Sequence, residues 1–570
     1  MKVSEFITNF LVEKGLTKCF SVTGGFAMHL NDSFGQKFDV TYTHGEQPAG
    51  YAALGWSSYE HNPSVCCVTA GCGATNAVTP CLIAYQDSVP VFFISGQVQY
   101  KDNIRAHEGR IRGYFGSDCD IVESVKSITK YAVELTNPSE ILRVLQECYH
   151  NLTTGRLGPV WLSVPVDVQA MKVPDLLEEW KPPHEVYSKS LPQEFLDVWS
   201  KAQRPIVLAG NGIHLSKTRE MFRNFLDHHQ LPYVVSFFGS DLGDDYTGKT
   251  GIVGNRPGNF AIQNADLVVC LGCRLSKGIT GYNRDLFARE ATTVYLDIDD
   301  SEFLDQKRVD IKLHMDLKTF FSFQLPLQKH VHPEWVKRNM EWKSMWSEEL
   351  PEKDGEQICP YRHLNTFFKM KGDNSIVTAS SGSIYNVIWH MYRYKKGDRF
   401  ITSSHGDMGY EFPVAIGAST HGKRSYAILG DGSFQFNLQE LQTLKHHNLP
   451  VTVIVFNNDG YGAIKITQNM VFKREFGTSS SSDITFCDIE KVACAYELPY
   501  YRVVDDEDVG YLEHTQGPMI VEVVCNSQGR FPRVANKPLP DGTFKNMPHE
   551  EMLPFLDDKT LDEHMFVKRV

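Results

Sequence analysis

Two loops constrain this chain more than any other feature. Residues 425–429 (SYAIL) form an apolar run followed at once by Gly430-Asp431-Gly432-Ser433. A second apolar run, VTVIVF from Val451, ends in Asn457-Asn458-Asp459-Gly460. Between them Leu438, Leu441 and Leu444 recur at helical spacing. Strand, helix and strand in that order read as a parallel βαβ unit, with both loops at carboxyl ends of strands, where open α/β sheets place ligands. Glycines there let the backbone approach a phosphate, and a helix N-terminus favours its charge. Asp431 and Asn458, 27 positions apart, offer hard oxygens suited to Mg²⁺ shared with phosphate.

The same alternation extends over the chain in three blocks. The first, to about residue 180, has apolar runs at 64–69 and 89–95 with a helical stretch at 75–84 between them. Residues 178–191, rich in Pro, Glu and Lys, read as a linker. The second block has strand candidates at 205–209, 232–237, 267–271 and 293–298, and a charged stretch with Trp335, Trp342 and Trp346 bridges to the third. That block adds strand candidates at 375–379 and 519–524. The predicted fold is α/β, with three doubly wound parallel-sheet domains at 1–180, 190–335 and 355–545. A tail, 546–570, is expected to fold over another surface.

At 570 residues the chain exceeds one hydrophobic core, and with 42% hydrophobic residues its domains need no staples. The formal net charge of −12 argues against nucleic acid or anionic membrane as the main partner. No stretch reaches the length of a membrane span, and the first residues read as an amphipathic helix rather than a signal peptide. Thirteen cysteines, mostly in apolar runs such as Cys66-Cys67, fit reduced thiols and a cytoplasmic location. The one CxxC, Cys270 to Cys273, lacks the second pair of a zinc site. Residues 243–250 (GDDYTGKT) match the P-loop letter for letter, but GIVGNRPGN follows where a P-loop needs a helix, so ATP use is rejected.

Two features of the first block point to a site without deciding it. Glu46 is followed by Ala49, Gly50, Ala52 and Ala53, small residues that fit a helix packed closely against something; taken alone, the carboxylate reads equally as catalytic or as an exposed helix start. Gly71 and Gly73 form a strand-to-helix turn that serves packing or a cofactor.

GDGS followed by FNNDG resembles the thiamine diphosphate motif of the pyruvate decarboxylase and acetohydroxyacid synthase superfamily. The stretch VTAGCGATNAVTPCLIAYQDSVPVFFISGQV and the segment SSHGDMGYEFPVAIGA resemble it too. The resemblance runs over nearly the whole chain, in the order pyrimidine-binding, middle and pyrophosphate-binding domain. It looks closer to acetolactate synthase-like proteins, whose ending LPDGTFKNMPHEEMLPFL resembles. The resemblance implies Mg²⁺ held by Asp431, Asn458 and the Gly460 carbonyl, with cofactor contacts at Gly71, Gly73, Gly406, Met408, Gly430, Gly432 and Ser433. Gly406 would accept from the 4′-amino group through its carbonyl. Met408 would bond N3′ through its N–H and support the bent cofactor with its side chain. Glu46 would bond the pyrimidine N1′ as the catalytic group, in a protonated form that burial in an apolar site favours. It follows Gly45, where many relatives have His. The middle block resembles a domain that can hold FAD or another nucleotide, though no flavin contact is supported by the sequence.

The implied reaction is decarboxylation of a 2-oxo acid, with pyruvate as donor. Simple decarboxylases of the superfamily carry an adjacent His pair in the first domain; between Asn103 and Asp120 this chain has only His107, which favours carboligation to a carbonyl acceptor. Acetohydroxyacid synthases carry a Phe-Gln pair near the position of Gly116-Ser117, so the acceptor stays open. The alternatives are a non-ligating 2-oxo acid decarboxylase and an inactive cofactor-binding relative. Joint retention of Glu46, Asp431 and Asn458 argues against the latter. The expected partners are small molecules, and the expected assembly is a homodimer or homotetramer with active sites shared between chains.

Overall fold

The computed structural model describes residues 1–183, 187–304, 309–326, 333–347, 349–351, 355, 357–514, 516–525, 533–541 and 543–570. Three six-stranded sheets, parallel throughout, carry the chain. The first holds β1 (Lys18–Ser21), β2 (Asp39–Tyr42), β3 (Ser64–Val68), β4 (Val91–Gln97), β5 (Tyr131–Glu134) and β6 (Val160–Pro165). The second holds β7 (Pro205–Ala209), β8 (Tyr233–Val235), β9 (Gly248–Lys249), β10 (Leu267–Leu271), β11 (Thr292–Asp297) and β12 (Ile311–His314). The third holds β13 (Ile376–Ala379), β14 (Arg399–Thr402), β15 (Ser425–Gly430), β16 (Val451–Asn457), β17 (Tyr500–Arg502) and β18 (Met519–Val524). The apolar runs form central strands because both sheet faces are covered; β3, β4, β6, β7, β10 and β13 are buried at every position.

The first and third sheets share one topology. Their spatial orders, β2-β1-β3-β4-β6-β5 and β14-β13-β15-β16-β18-β17, are the same permutation. The middle order, β9-β8-β7-β10-β11-β12, instead reverses at β7 and β10, as in dinucleotide-binding folds. The helix after the second strand of the first sheet, Glu46–Glu60, packs on its counterpart in the third, Glu411–Ser419. Small residues allow this close approach: a Cβ on Gly55 would lie 2.1 Å from the Val414 carbonyl oxygen, and one on Gly417 would lie 1.8 Å from that of Ala52, while Gly50 faces Pro80 instead.

Several local expectations change in three dimensions. The helical stretch at 75–84 is two helices, Cys72–Asn76 and Val78–Gln86, since Pro80 has no N–H to continue a single ladder. The tryptophan stretch packs as well as connects. It holds the helix Pro333–Met345, whose Trp335 and Trp342 are buried against the middle sheet, with Trp346 just past its end, and Trp335 Nε1 donates to the Pro205 carbonyl. The C-terminal segment docks on the same layer: Asn264 takes the Phe566 N–H, and His549 Nε2 lies 2.7 Å from the Ile279 carbonyl oxygen. Lys249 of the P-loop-like segment ends β9, and the next helix, Arg256–Asn264, begins seven residues later. Its ammonium is buried and donates to the carbonyls of Trp389 and Tyr392 at the end of the helix Gly382–Met391. No helix among the described residues is long and apolar enough to cross a membrane.

Candidate functional site

β15 and β16 are hydrogen-bonded neighbours from Ser425↔Val451 to Gly430↔Phe456, so the two loops read from the sequence emerge side by side. They enclose a pocket of about 360 Å³. Gly406, Met408, Gly430, Asp431, Gly432, Ser433, Asn458 and Gly460 all line it. Its remaining wall includes Ser381, Gly382 and Ser383, at the N-terminus of the helix Gly382–Met391, and Gly462 to Ile464, at the N-terminus of Gly462–Phe472. Helix starts around one cavity present unpaired N–H groups to an anion. The Ser381–Ser383 turn is absent from the sequence reading. Its signal was available, since SSGS follows the apolar run 375–379 as GDGS follows 425–429.

Asp431 is 3% exposed and takes the N–H groups of Gly432 and Gly460, each at 2.8 Å. Burial pushes its carboxyl up to about 6. Asn458 points an amide terminal atom at the same spot, 2.7 Å from the Gly460 carbonyl oxygen and 3.3 Å from Asp431 Oδ1. With the amide oxygen there, three oxygens face one another with no hydrogen between them. That spacing suits a cation: octahedral Mg²⁺ at 2.0–2.1 Å holds adjacent ligand oxygens about 2.9 Å apart. With the amide turned over, its NH₂ donates to both oxygens. The donor set therefore fits Mg²⁺, and the glycine-lined cavity with its helix starts fits a diphosphate.

Glu411 opens the helix packed against Glu46–Glu60 and is completely buried. One carboxyl oxygen accepts from Ser381 N at 3.0 Å and Ser381 Oγ at 2.8 Å, the other from Ser433 Oγ at 2.7 Å. Ser433 Oγ in turn accepts the Gly409 N–H at 2.8 Å. A single carboxyl thus ties the SSGS turn, the GDGS turn and the 406–409 segment together. The sequence reading missed it, because a glutamate in an apolar helix carries no local mark of its partners.

The remaining candidates sit elsewhere. Glu46, Gly71 and Gly73 cluster on the first sheet: Asn76 Nδ2 donates to Glu46 Oε2 at 3.0 Å, and a Cβ on Gly73 would lie 3.3 Å from Glu46 Oε1. Gly71, at φ +62°, is covered by the Ser117 carbonyl. Within the single chain Glu46 is half-exposed rather than enclosed in an apolar site, and it does not line the pocket around Asp431. The pocket is lined by residues 360–525 alone. A second cavity, of about 1090 Å³, opens where the middle sheet reverses its order, beside Asn211, Gly212, Gly272 and Cys273, and reaches the other two sheets at Asp87 and Ser404. This is the position and volume for a nucleotide-sized group.

Comparison with known proteins places all three sheets. The N-terminal thiamine pyrophosphate-binding domain of thiamine pyrophosphate enzymes matches residues 1–124, the central domain 193–322 and the C-terminal thiamine pyrophosphate-binding domain 380–523. The acetolactate synthase large subunit of Lactococcus lactis is 28% identical over 553 residues, covering 92% of each chain. Acetolactate synthase 1 of Nicotiana tabacum, a chloroplastic protein, is 28% identical over 571 residues, covering 92% of this chain and 82% of its own. The acetolactate synthase isozyme 2 large subunit of Escherichia coli is 26% identical over 504 residues, covering 85% and 88%.

Proposed function

The chain belongs to the thiamine pyrophosphate enzyme family as an acetolactate synthase-like member, and from that premise we propose that it decarboxylates a 2-oxo acid, pyruvate first, and joins the remaining fragment to a carbonyl acceptor. The observation that carries this reading is the convergence of the Asp431, Asn458 and Gly460 oxygens beside the GDGS and SSGS turns. In it, those oxygens hold Mg²⁺, the two turns hold the diphosphate, and Gly406 and Met408 hold the pyrimidine. Thiamine diphosphate supplies the electron sink for loss of CO₂. Glu46 holds and returns a proton at the pyrimidine ring. Since it stands off the Asp431 pocket of its own chain, the reading takes Glu46 from a second chain, in a homodimer or homotetramer.

Carboligation is favoured over aldehyde release because His107, the single imidazole between Asn103 and Asp120, is exposed and stacked on Tyr114 rather than paired with another imidazole. Proton NMR of products from pyruvate, alone and with added aldehydes or ketones, tests this. Acetolactate or a mixed ligation product is expected. Acetaldehyde with every acceptor would replace the reading with a simple decarboxylase, and intact pyruvate with cofactor bound would remove pyruvate as donor.

A further inference from the structure

Glu411 places an unusual demand on its surroundings. Its carboxyl is 0% exposed, and its donors are an amide and two hydroxyls rather than a cation. The ionisable groups facing it are Asp407 on the preceding loop, Tyr410, and Tyr51 from the helix Glu46–Glu60, and none brings positive charge. The pocket wall beside it is Ser381–Ser383 and Gly430–Ser433, the two turns read above as diphosphate-binding. A bound diphosphate would bring acceptor oxygens to the Ser433 side of this buried carboxyl, and a hydrogen that Ser433 gives to them is one that Glu411 must replace with a proton of its own to keep their hydrogen bond.

The Ser433 hydroxyl shows what protonation achieves. A serine has one hydrogen to give. With Glu411 ionised, Ser433 spends it on Glu411 Oε2 at 2.7 Å, while its own oxygen takes the Gly409 N–H. With Glu411 protonated, the acid donates to Ser433 Oγ across the same distance, and the serine hydrogen is freed to point into the pocket that Ser433 lines. We propose that binding of the cofactor diphosphate is coupled to uptake of one proton from solvent by Glu411, which turns the Ser433 hydroxyl from Glu411 toward the diphosphate. Glu411 is thus a positioning residue that acts through Ser433. The inference rests on the diphosphate reading of this pocket.

Burial pushes the Glu411 carboxyl up to about 7, with Asp407 adding to the push and the Ser433 and Ser381 hydrogen bonds opposing it. The free protein is then largely ionised at pH 8 and has a proton to gain. The bound form holds the proton more tightly, so affinity falls as pH rises above about 7, approaching tenfold per pH unit. Glu411→Gln mimics the acid: its amide oxygen can accept from Ser381, and its NH₂ can donate to Ser433.

The test is calorimetric titration of the whole protein with thiamine diphosphate at saturating Mg²⁺, pH 8, in buffers of different ionisation enthalpy. The dependence of heat on buffer gives the protons taken up, and subtracting the Glu411→Gln value removes contributions from Asp431 and the cofactor. Wild type should take up more than about half a proton per site beyond Glu411→Gln. The variant should bind at least as tightly at pH 8 and lose the extra fall in affinity with pH. Equal proton uptake and parallel pH profiles would overturn the proposal, as would a wild type that takes up no proton, a result that needs no variant. Wild type that fails to bind thiamine diphosphate would overturn the diphosphate reading and this inference together. Binding with no difference from the variant would overturn this inference alone.

Discussion

Gly460 offers a direct test of the metal site through geometry rather than charge. Its φ is +133°, and a Cβ there would lie 2.0 Å from the Thr478 carbonyl oxygen. Real Cβ atoms stay beyond 3.0 Å, so Gly460→Ala must open the contact by about 1 Å against a backbone atom that cannot rotate away. The carbonyl of Gly460 moves with its Cα, and metal–ligand distances tolerate only about 0.2 Å. One of the three converging oxygens is therefore displaced. Loss of groups that merely support a metal ligand costs about 10–100-fold in affinity, so losing the ligand itself should cost at least that much. Gly477 is the control: its φ is +61°, but nothing lies within 4 Å of its Cβ position. Gly477→Ala should cost about 1–2 kcal/mol of stability from backbone conformation alone and leave metal affinity unchanged. Mg²⁺ titration at fixed thiamine diphosphate, with a thermal melt of each variant, measures both. Mg²⁺ affinity in Gly460→Ala within threefold of wild type, in a folded protein, would refute the placement of the Gly460 carbonyl in the metal shell.

Glu46→Gln should keep the cofactor bound yet cut turnover by about two or more orders of magnitude, the scale of a general acid–base group; unaltered turnover would make the glutamate structural. Asp431→Ala should abolish binding of Mg²⁺ and thiamine diphosphate. If sites are shared between chains, mixing these two inactive variants under subunit exchange should restore about a quarter of sites, by the symmetry of an isologous pair; no recovery after proven exchange argues for sites within one chain. Arg399 joins three layers, pairing with Asp241 at 2.7 Å and donating to the Ser58 carbonyl at 2.9 Å. Arg399→Met leaves Asp241, 1% exposed, without that partner and should cost about 3–5 kcal/mol in denaturant unfolding. Pairing it with Asp241→Asn should recover part of the loss, and strictly additive effects would show that the ion pair contributes nothing.

What the sequence determined by itself is local and periodic. Continuous apolar runs of five to seven residues bounded by glycine can be satisfied only as strands covered on both faces, so the parallel sheets and the loops at their carboxyl ends were legible from pattern alone. The Gly430–Ser433 and Asn458–Gly460 loops lie side by side because β15 and β16 are neighbours, as a single strand–helix–strand excursion leads one to expect. Tertiary structure decided everything that depends on residues far apart in the chain. Lys249 looked like part of a phosphate loop, and only packing made it the buried cap of the helix Gly382–Met391, 140 residues away. Glu411 reads as one acid in an apolar helix until Ser381 and Ser433 close on it from two other loops. The tryptophans at 335 and 342 read as a connector until the middle sheet covers them. The separation of Glu46 from the Asp431 pocket is of the same kind. Chain order and spacing set which residues stand at strand ends, but the packing of whole sheets sets which ends meet, and no local periodicity encodes that.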